Sequence, residues 1–106
     1  MYLNDLDNLE EREMVPGFFG RFIHTDKVTI GYFNIKGGSV LPEHAHFHEQ
    51  ISNVISGRFQ LTINGETNIY DAGKVAVIPS DVPHSGKALN DCFIIDVFCP
   101  VREDYK

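Results

Sequence analysis

Turn signals cut this chain about every ten residues, and that spacing limits the folds open to it more than any other feature. Pro16-Gly17, Gly37-Gly38, Ser56-Gly57, Asn64-Gly65, Asp71-Ala72-Gly73, Pro79 to Pro83 and Asn90-Asp91 leave runs too short for a long helix. The runs between them read as strands: Phe18 to His24, Val28 to Ile35, Val40 to Gln50, Ile51 to Ile55, Arg58 to Ile63, Glu66 to Tyr70, Lys74 to Ile78, His84 to Leu89 and Cys92 to Phe98. Val28 to Ile35 alternates well, with Val28, Ile30 and Tyr32 on one face and Thr29, Gly31, Phe33 and Ile35 on the other. Asn64-Gly65 is the strongest hairpin signal, because a type I′ turn needs positive φ at both central positions. Asp5 to Met14 reads as a short helical turn or an acidic lead-in arm stopped by Pro16-Gly17. About nine short strands at this spacing predict an all-β barrel or sandwich in a single domain, with residues 1–12 as an arm and 13–106 as the barrel.

Composition narrows the function. The 106 residues are 42% hydrophobic, enough for one core. A net charge of −6 argues against a nucleic-acid partner and against an anionic membrane surface. The segment Met1 to Glu13 is acidic and has no apolar signal-like core, and no run approaches transmembrane length. Cys92 and Cys99 fall near one predicted strand, roughly 23 Å apart at about 3.3 Å per residue, too far to bridge. A reduced cytoplasmic compartment is the expectation.

The chemistry concentrates at His44-Ala45-His46-Phe47-His48-Glu49-Gln50, which holds three of the five histidines. On an extended strand His44, His46, His48 and Gln50 share one face. Three imidazoles on one face are a costly way to build a core and a normal way to hold a divalent metal. His84, held after Pro83 in a proline-stiffened loop, is placed for a second strand to return it to the same point.

With these residues in view the chain resembles a single-domain cupin. Gly38, His44, His46 and Gly57 fall on the first cupin motif, with Gln50 at its glutamate position. Gly73, Pro79 and His84 fall on the second, where Val82 or Asp81 stands near the glycine position and Ala88 replaces the asparagine. The likeness spans roughly residues 13 to 104. It implies a cupin-type double-stranded β-helix, a jelly-roll barrel. The run from His44 to Gln50, then Pro79 to Ser85, then Asp96 to Tyr105 is similar to small cupins of pectin and alginate breakdown, which open cyclic 4,5-unsaturated uronates to linear keto forms. In that subgroup a glutamine replaces the glutamate ligand and an Asp, a Phe and an Arg face the substrate, here Asp96, Phe98 and Arg102.

The expected site has His44, His46, Gln50 and His84 around one divalent transition metal, Ni, Zn, Mn, Fe, Co or Cu, with Gln50 either a ligand or an orienting residue that leaves its position to water. Three imidazoles and an amide carry no charge, so the ion keeps its full +2, suited to an anionic sugar acid. Asp96 interrupts the apolar run from Phe93 to Phe98 and reads as a pocket acid or base, or alternatively as an arginine's partner or a surface residue. Arg102 reads as a bidentate clamp on a substrate carboxylate, as a surface arginine, or as a partner of Glu103 or Asp104. Arg58 is a candidate for the barrel mouth or a solvated strand residue, and Phe98 for the wall of the sugar site or the core. His48 reads as a residue behind the ligands or on the surface, Glu49 as outward-facing, and His24 as a solvated turn residue.

Three functions compete: non-redox ring opening and tautomerisation of a uronate, an iron-dependent dioxygenase, and a metal-dependent sugar-acid binder without catalysis. By the same resemblance a homodimer is expected, with Phe18-Phe19 and the Tyr2-to-Met14 arm as candidate contacts.

Overall fold

The computed structural model describes residues 2–106; Met1, at the start of the expected arm, lies outside them. The described residues form ten strands: β1 (Arg12–Val15), β2 (Phe18–His24), β3 (Thr29–Ile35), β4 (Val40–His44), β5 (Glu49–Ser56), β6 (Phe59–Ile63), β7 (Glu66–Tyr70), β8 (Val75–Ile78), β9 (His84–Ala88) and β10 (Cys92–Cys99). They pair, all antiparallel, into a six-stranded sheet ordered β1-β2-β3-β10-β5-β8 and a four-stranded sheet ordered β4-β9-β6-β7. The fold is all-β, a single small domain, with the two sheets facing each other across the core.

Alternation sets the faces. Along β5, Gln50, Ser52 and Val54 are buried while Glu49, Ile51 and Ile55 are exposed. Along β10, Cys92, Ile94 and Phe98 turn inward beside Asp96. Phe18, Phe33, Val54, Phe59, Ile78 and Ile94 are among the buried apolar side chains between the sheets. The β6–β7 hairpin turns at Asn64 and Gly65, with φ of 50° and 82°, as a type I′ turn requires.

Two readings of the sequence are corrected here. The stretch from Asp5 to Met14 holds the expected short helical turn, but its end is a strand of the sheet and not a lead-in arm. A 3-10 turn spans Leu6–Asn8, capped by the Asp5 side chain, and β1 follows at Arg12, paired with β2. Its charged residues mask a short edge strand. The run Val40 to Gln50 is not one continuous strand either. It breaks after His44, and residues 45–48 cross from the four-stranded sheet to the six-stranded one. Cys92 and Cys99 are both free, one buried and one exposed, at opposite ends of β10.

The outer face of the six-stranded sheet carries an unbroken aliphatic row. Ile23, Ile30, Val97, Ile51 and Val77 lie side by side on β2, β3, β10, β5 and β8. Val77 is 68% exposed. Phe18, by contrast, points into the barrel and is core, which removes it from the expected dimer contacts.

Gly65 has open space around it, so a side chain there meets backbone strain alone. Gly65→Val is expected to lower unfolding stability by about 1–2 kcal/mol in a urea titration.

Candidate metal centre

The crossover at residues 45–48 is what assembles the site. On the four-stranded sheet His44 stands opposite His84. On the six-stranded sheet Gln50 stands opposite Phe98, and Ser52 opposite Asp96, on adjacent same-face positions of β5 and β10. His46 lies on the crossover between them. One ring nitrogen each from His44, His46 and His84 lies within 4.8 Å of the others. The rings of His44 and His84 are 4.2 Å apart, those of His46 and His84 5.0 Å.

Each of the three imidazoles is held by a backbone carbonyl. His44 Nδ1 is 2.8 Å from the Pro42 oxygen, His46 Nδ1 3.0 Å from that of His48, and His84 Nδ1 2.9 Å from that of Val82. A carbonyl only accepts, so each Nδ1 carries the proton and each Nε2 is a bare lone pair. His84 is 1% exposed and its Nε2 has no partner. His46 Nε2 faces Gln50 Oε1 at 3.1 Å, acceptor against acceptor. An inward-facing set of acceptors without donors is what a cation satisfies, and burial lowers the pKa of His46 and His84, which keeps their rings neutral as ligation requires. The four residues fit a divalent transition ion.

Behind the imidazoles lies a polar pair. Asp96 accepts from Ser52 Oγ at 2.6 Å and from Gln50 Nε2 at 3.2 Å. Burial pushes its carboxyl up to about 7, against the Ser52 hydrogen bond and the charge of Arg102. Asp96, Arg102 and Phe98 line the same cavity of about 150 Å³ as His44, His46, Gln50 and His84. Its far end is walled by apolar groups such as Met14, Leu41 and Phe59.

Arg102 follows a cis Cys99–Pro100 bond and is 7% exposed. The structure shows the pair with Asp104, and burial excludes a surface position. Arg102 lines the cavity, and its Nε and Nη2 donate to Asp104 at 3.0 and 2.9 Å. Its guanidinium stacks on Tyr105 at 3.9 Å and on Phe98 at 4.8 Å. Asp104 thus takes the Nε/Nη2 edge, and the end-on edge, Nη1 with the second Nη2 hydrogen, remains for an anion.

Other candidates lie elsewhere. Arg58 is exposed and sits before β6, at the end opposite Ile63, the partner of His84. Five residues of strand, roughly 17 Å, separate it from that level, and it does not line the cavity. His48 is 6% exposed, with its ring on Phe47 and its carbonyl holding His46; it stands behind the ligands. Glu49 is exposed. His24 ends β2 and bonds Thr29 Oγ1 at 2.8 Å, so it is not a free turn residue. The same Thr29 oxygen accepts the Arg102 backbone N–H at 2.8 Å. Ser52, Thr29 and Tyr105 went unread in the sequence. The strand parity of Ser52 with Gln50 was the available signal for it; Tyr105 and Thr29 carried none.

The architecture and site together define a class: a jelly-roll barrel with a three-histidine cluster in its mouth. Residues 31–98 match the family model described as Cupin domain, and the chain belongs to the cupin family. An uncharacterized protein of Streptomyces coelicolor is 28% identical over 97 residues, 90% of this chain and 92% of that one. The pectin degradation protein KdgF of Dickeya dadantii is 31% identical over 71 residues, 66% of this chain and 64% of its own length. The solved structure of KdgF from Halomonas sp. superposes with a TM-score of 0.87 at 29% identity, over 92% of this chain and 91% of that one. An RmlC-like cupin from Shewanella frigidimarina, 23% identical, shares the fold with a TM-score of 0.94 over 100% and 96% of the two chains. No helix among the described residues is long and apolar enough to cross a membrane.

Removing one imidazole from the cluster should empty it. His84→Ala is expected to reduce bound transition metal from near one equivalent to background by elemental mass spectrometry, while Arg58→Ala leaves it unchanged.

Proposed function

We propose that this cupin is a metal-dependent isomerase of sugar acids that converts a cyclic 4,5-unsaturated uronate to its linear keto form. The observation that carries this reading is a hydrogen-bonded carboxyl, Asp96, facing the same cavity as three clustered imidazoles and one arginine. The likeness to KdgF proteins, one of them named for pectin degradation, supports it.

The residues divide the work. His44, His46, His84 and Gln50 Oε1 would hold the ion, which when bound supplies Lewis-acid polarisation of a substrate oxygen. Arg102 holds the substrate carboxylate through its free N–H groups, with Asp104 and the two aromatic rings keeping the guanidinium in place. Asp96 takes the proton of the anomeric hydroxyl. The bond from the anomeric carbon to the ring oxygen breaks, its electron pair stays on that oxygen, and an aldehyde and an enolate result. Asp96 then returns the proton to C4, leaving a ketone at C5. One carboxyl moves one proton from oxygen to carbon, and no electron is gained or lost. The apolar far wall keeps water from the enolate.

Asp96→Asn is expected to abolish turnover of the unsaturated uronate, followed by loss of its ultraviolet absorbance, while metal stoichiometry stays near one. Turnover should proceed unchanged without oxygen; strict oxygen dependence, or full activity in Asp96→Asn, would falsify the proposal.

The reading includes a second copy of the chain against the aliphatic row of the six-stranded sheet. The row itself is uncharged in a chain of net charge −6, with Arg21 and Glu49 flanking it on β2 and β5, so two copies bury aliphatic side chains there and keep the flanking charges at the rim. Five strands about 4.8 Å apart and roughly 20 Å long give a face of a few hundred Å², on the scale of the ~800 Å² per partner of a stable interface once side chains are included. Sedimentation should show a dimer at micromolar concentration and a monomer for Val77→Lys, with the fold retained by circular dichroism.

A further inference from the structure

The two ends of a side-chain amide have nearly the same shape and opposite hydrogen-bonding character. A carboxylate at the same position presents an oxygen whichever way it turns. Gln50 therefore faces a requirement that a glutamate at its position does not: something must decide which end meets the three histidines.

Gln50 Nε2 has two hydrogens, and β5 and β10 provide an acceptor for each. One goes to Ser52 Oγ at 3.0 Å, the other to Asp96 Oδ2 at 3.2 Å. The Ser52 hydroxyl hydrogen is itself directed to Asp96 Oδ1 at 2.6 Å, which leaves its lone pairs for the amide. All three side chains arise from the strand register, since Ser52 is the next inward residue after Gln50 and lies opposite Asp96. Gln50 and Ser52 are both buried, so a lost partner carries a cost at this position. Turning the amide over would set its oxygen against an Asp96 oxygen and direct an N–H at His46 Nε2, 3.1 Å from the present amide oxygen. The first contact is repulsive, and the second occupies a lone pair the centre needs.

We propose that Ser52 and Asp96 act as positioning residues that lock the Gln50 carboxamide with its oxygen toward His44, His46 and His84. Asp96 then has two tasks, one toward the substrate and one toward the centre. The proposal rests on the reading of the three-histidine cluster as a metal centre and is independent of what the protein turns over.

The test is a cycle read by cobalt binding rather than by activity. Asp96→Asn keeps an oxygen able to accept from the amide, and Asp96→Leu keeps none; both remove the charge, so their ratio isolates the lock. Isothermal titration with Co²⁺ is run on each, with Gln50 retained and with Gln50→Glu. With Gln50, Asp96→Leu is expected to bind Co²⁺ about tenfold more weakly than Asp96→Asn, the effect of one net hydrogen bond. With Gln50→Glu the two should agree, because a carboxylate needs no lock. A general collapse of the pocket would weaken both backgrounds alike, and that result overturns the proposal, as does equal affinity of the two variants with Gln50. Ser52→Ala, a neutral and smaller change, should show the same background dependence if Asp96→Leu does not fold. Failure of the unsubstituted protein to bind Co²⁺ would remove the metal centre itself, whereas equal ratios in the two backgrounds remove only the lock.

Discussion

Every nitrogen that the three histidines turn into the mouth of the barrel is an acceptor. Three backbone carbonyls impose this by taking the Nδ1 hydrogens of His44, His46 and His84. Gln50 Oε1 adds a fourth acceptor. The His84 Nε2 lone pair is buried without a partner, which costs folding free energy, so the barrel carries an unfavourable feature at this point. A divalent cation reverses the sign of that contribution. Gln50, Ser52, Asp96 and Arg102 line the cavity onto which that point opens.

Asp96 shows how a costly group is tolerated. A carboxyl in an apolar strand loses hydration, and its raised pKa expresses that loss. Two donors from β5 and the neighbouring guanidinium offset part of it. On the adjacent strand β3, Gly31 lies opposite Asp96, and a Cβ there would meet the Phe33 ring at 2.6 Å. The missing side chain lets the Phe22 and Phe33 rings pack edge to face beside the carboxyl. Aromatic packing thus supplies the dry wall, and the hydrogen bonds supply the charge tolerance.

The Arg102 region is a second self-supporting unit. The 3-10 turn Glu103–Tyr105 folds the end of the described chain back so that Asp104 takes one edge of the guanidinium and Tyr105 one face. Arg12 reaches from β1 to the Tyr105 carbonyl, and Thr29 holds the Arg102 backbone. The segment before the barrel and the segment after it therefore share responsibility for one cation, although neither shows this locally.

Much of this was legible in the residues. Period-two alternation and turn chemistry are local, so the all-β class, the Asn64-Gly65 hairpin and the inward parity of Gln50, Ser52 and Val54 follow from neighbours in the chain. The histidine cluster and His84 were legible because imidazole density has few other uses. β1 was not, since an edge strand with charged residues pairs only when β2 is present to receive it. The choice between barrel mouth and solvated strand for Arg58 was not legible, because parity says which side a residue faces and not which end of the barrel it occupies. The break at residues 45–48, the occupied edge of Arg102 and the facing acceptors were decided by tertiary structure alone. Each is a distance between groups far apart in the chain, set by how two sheets close on one another. By itself the sequence determined which chemical groups this protein has and which face of a strand they take; only the closed barrel decided which of them meet.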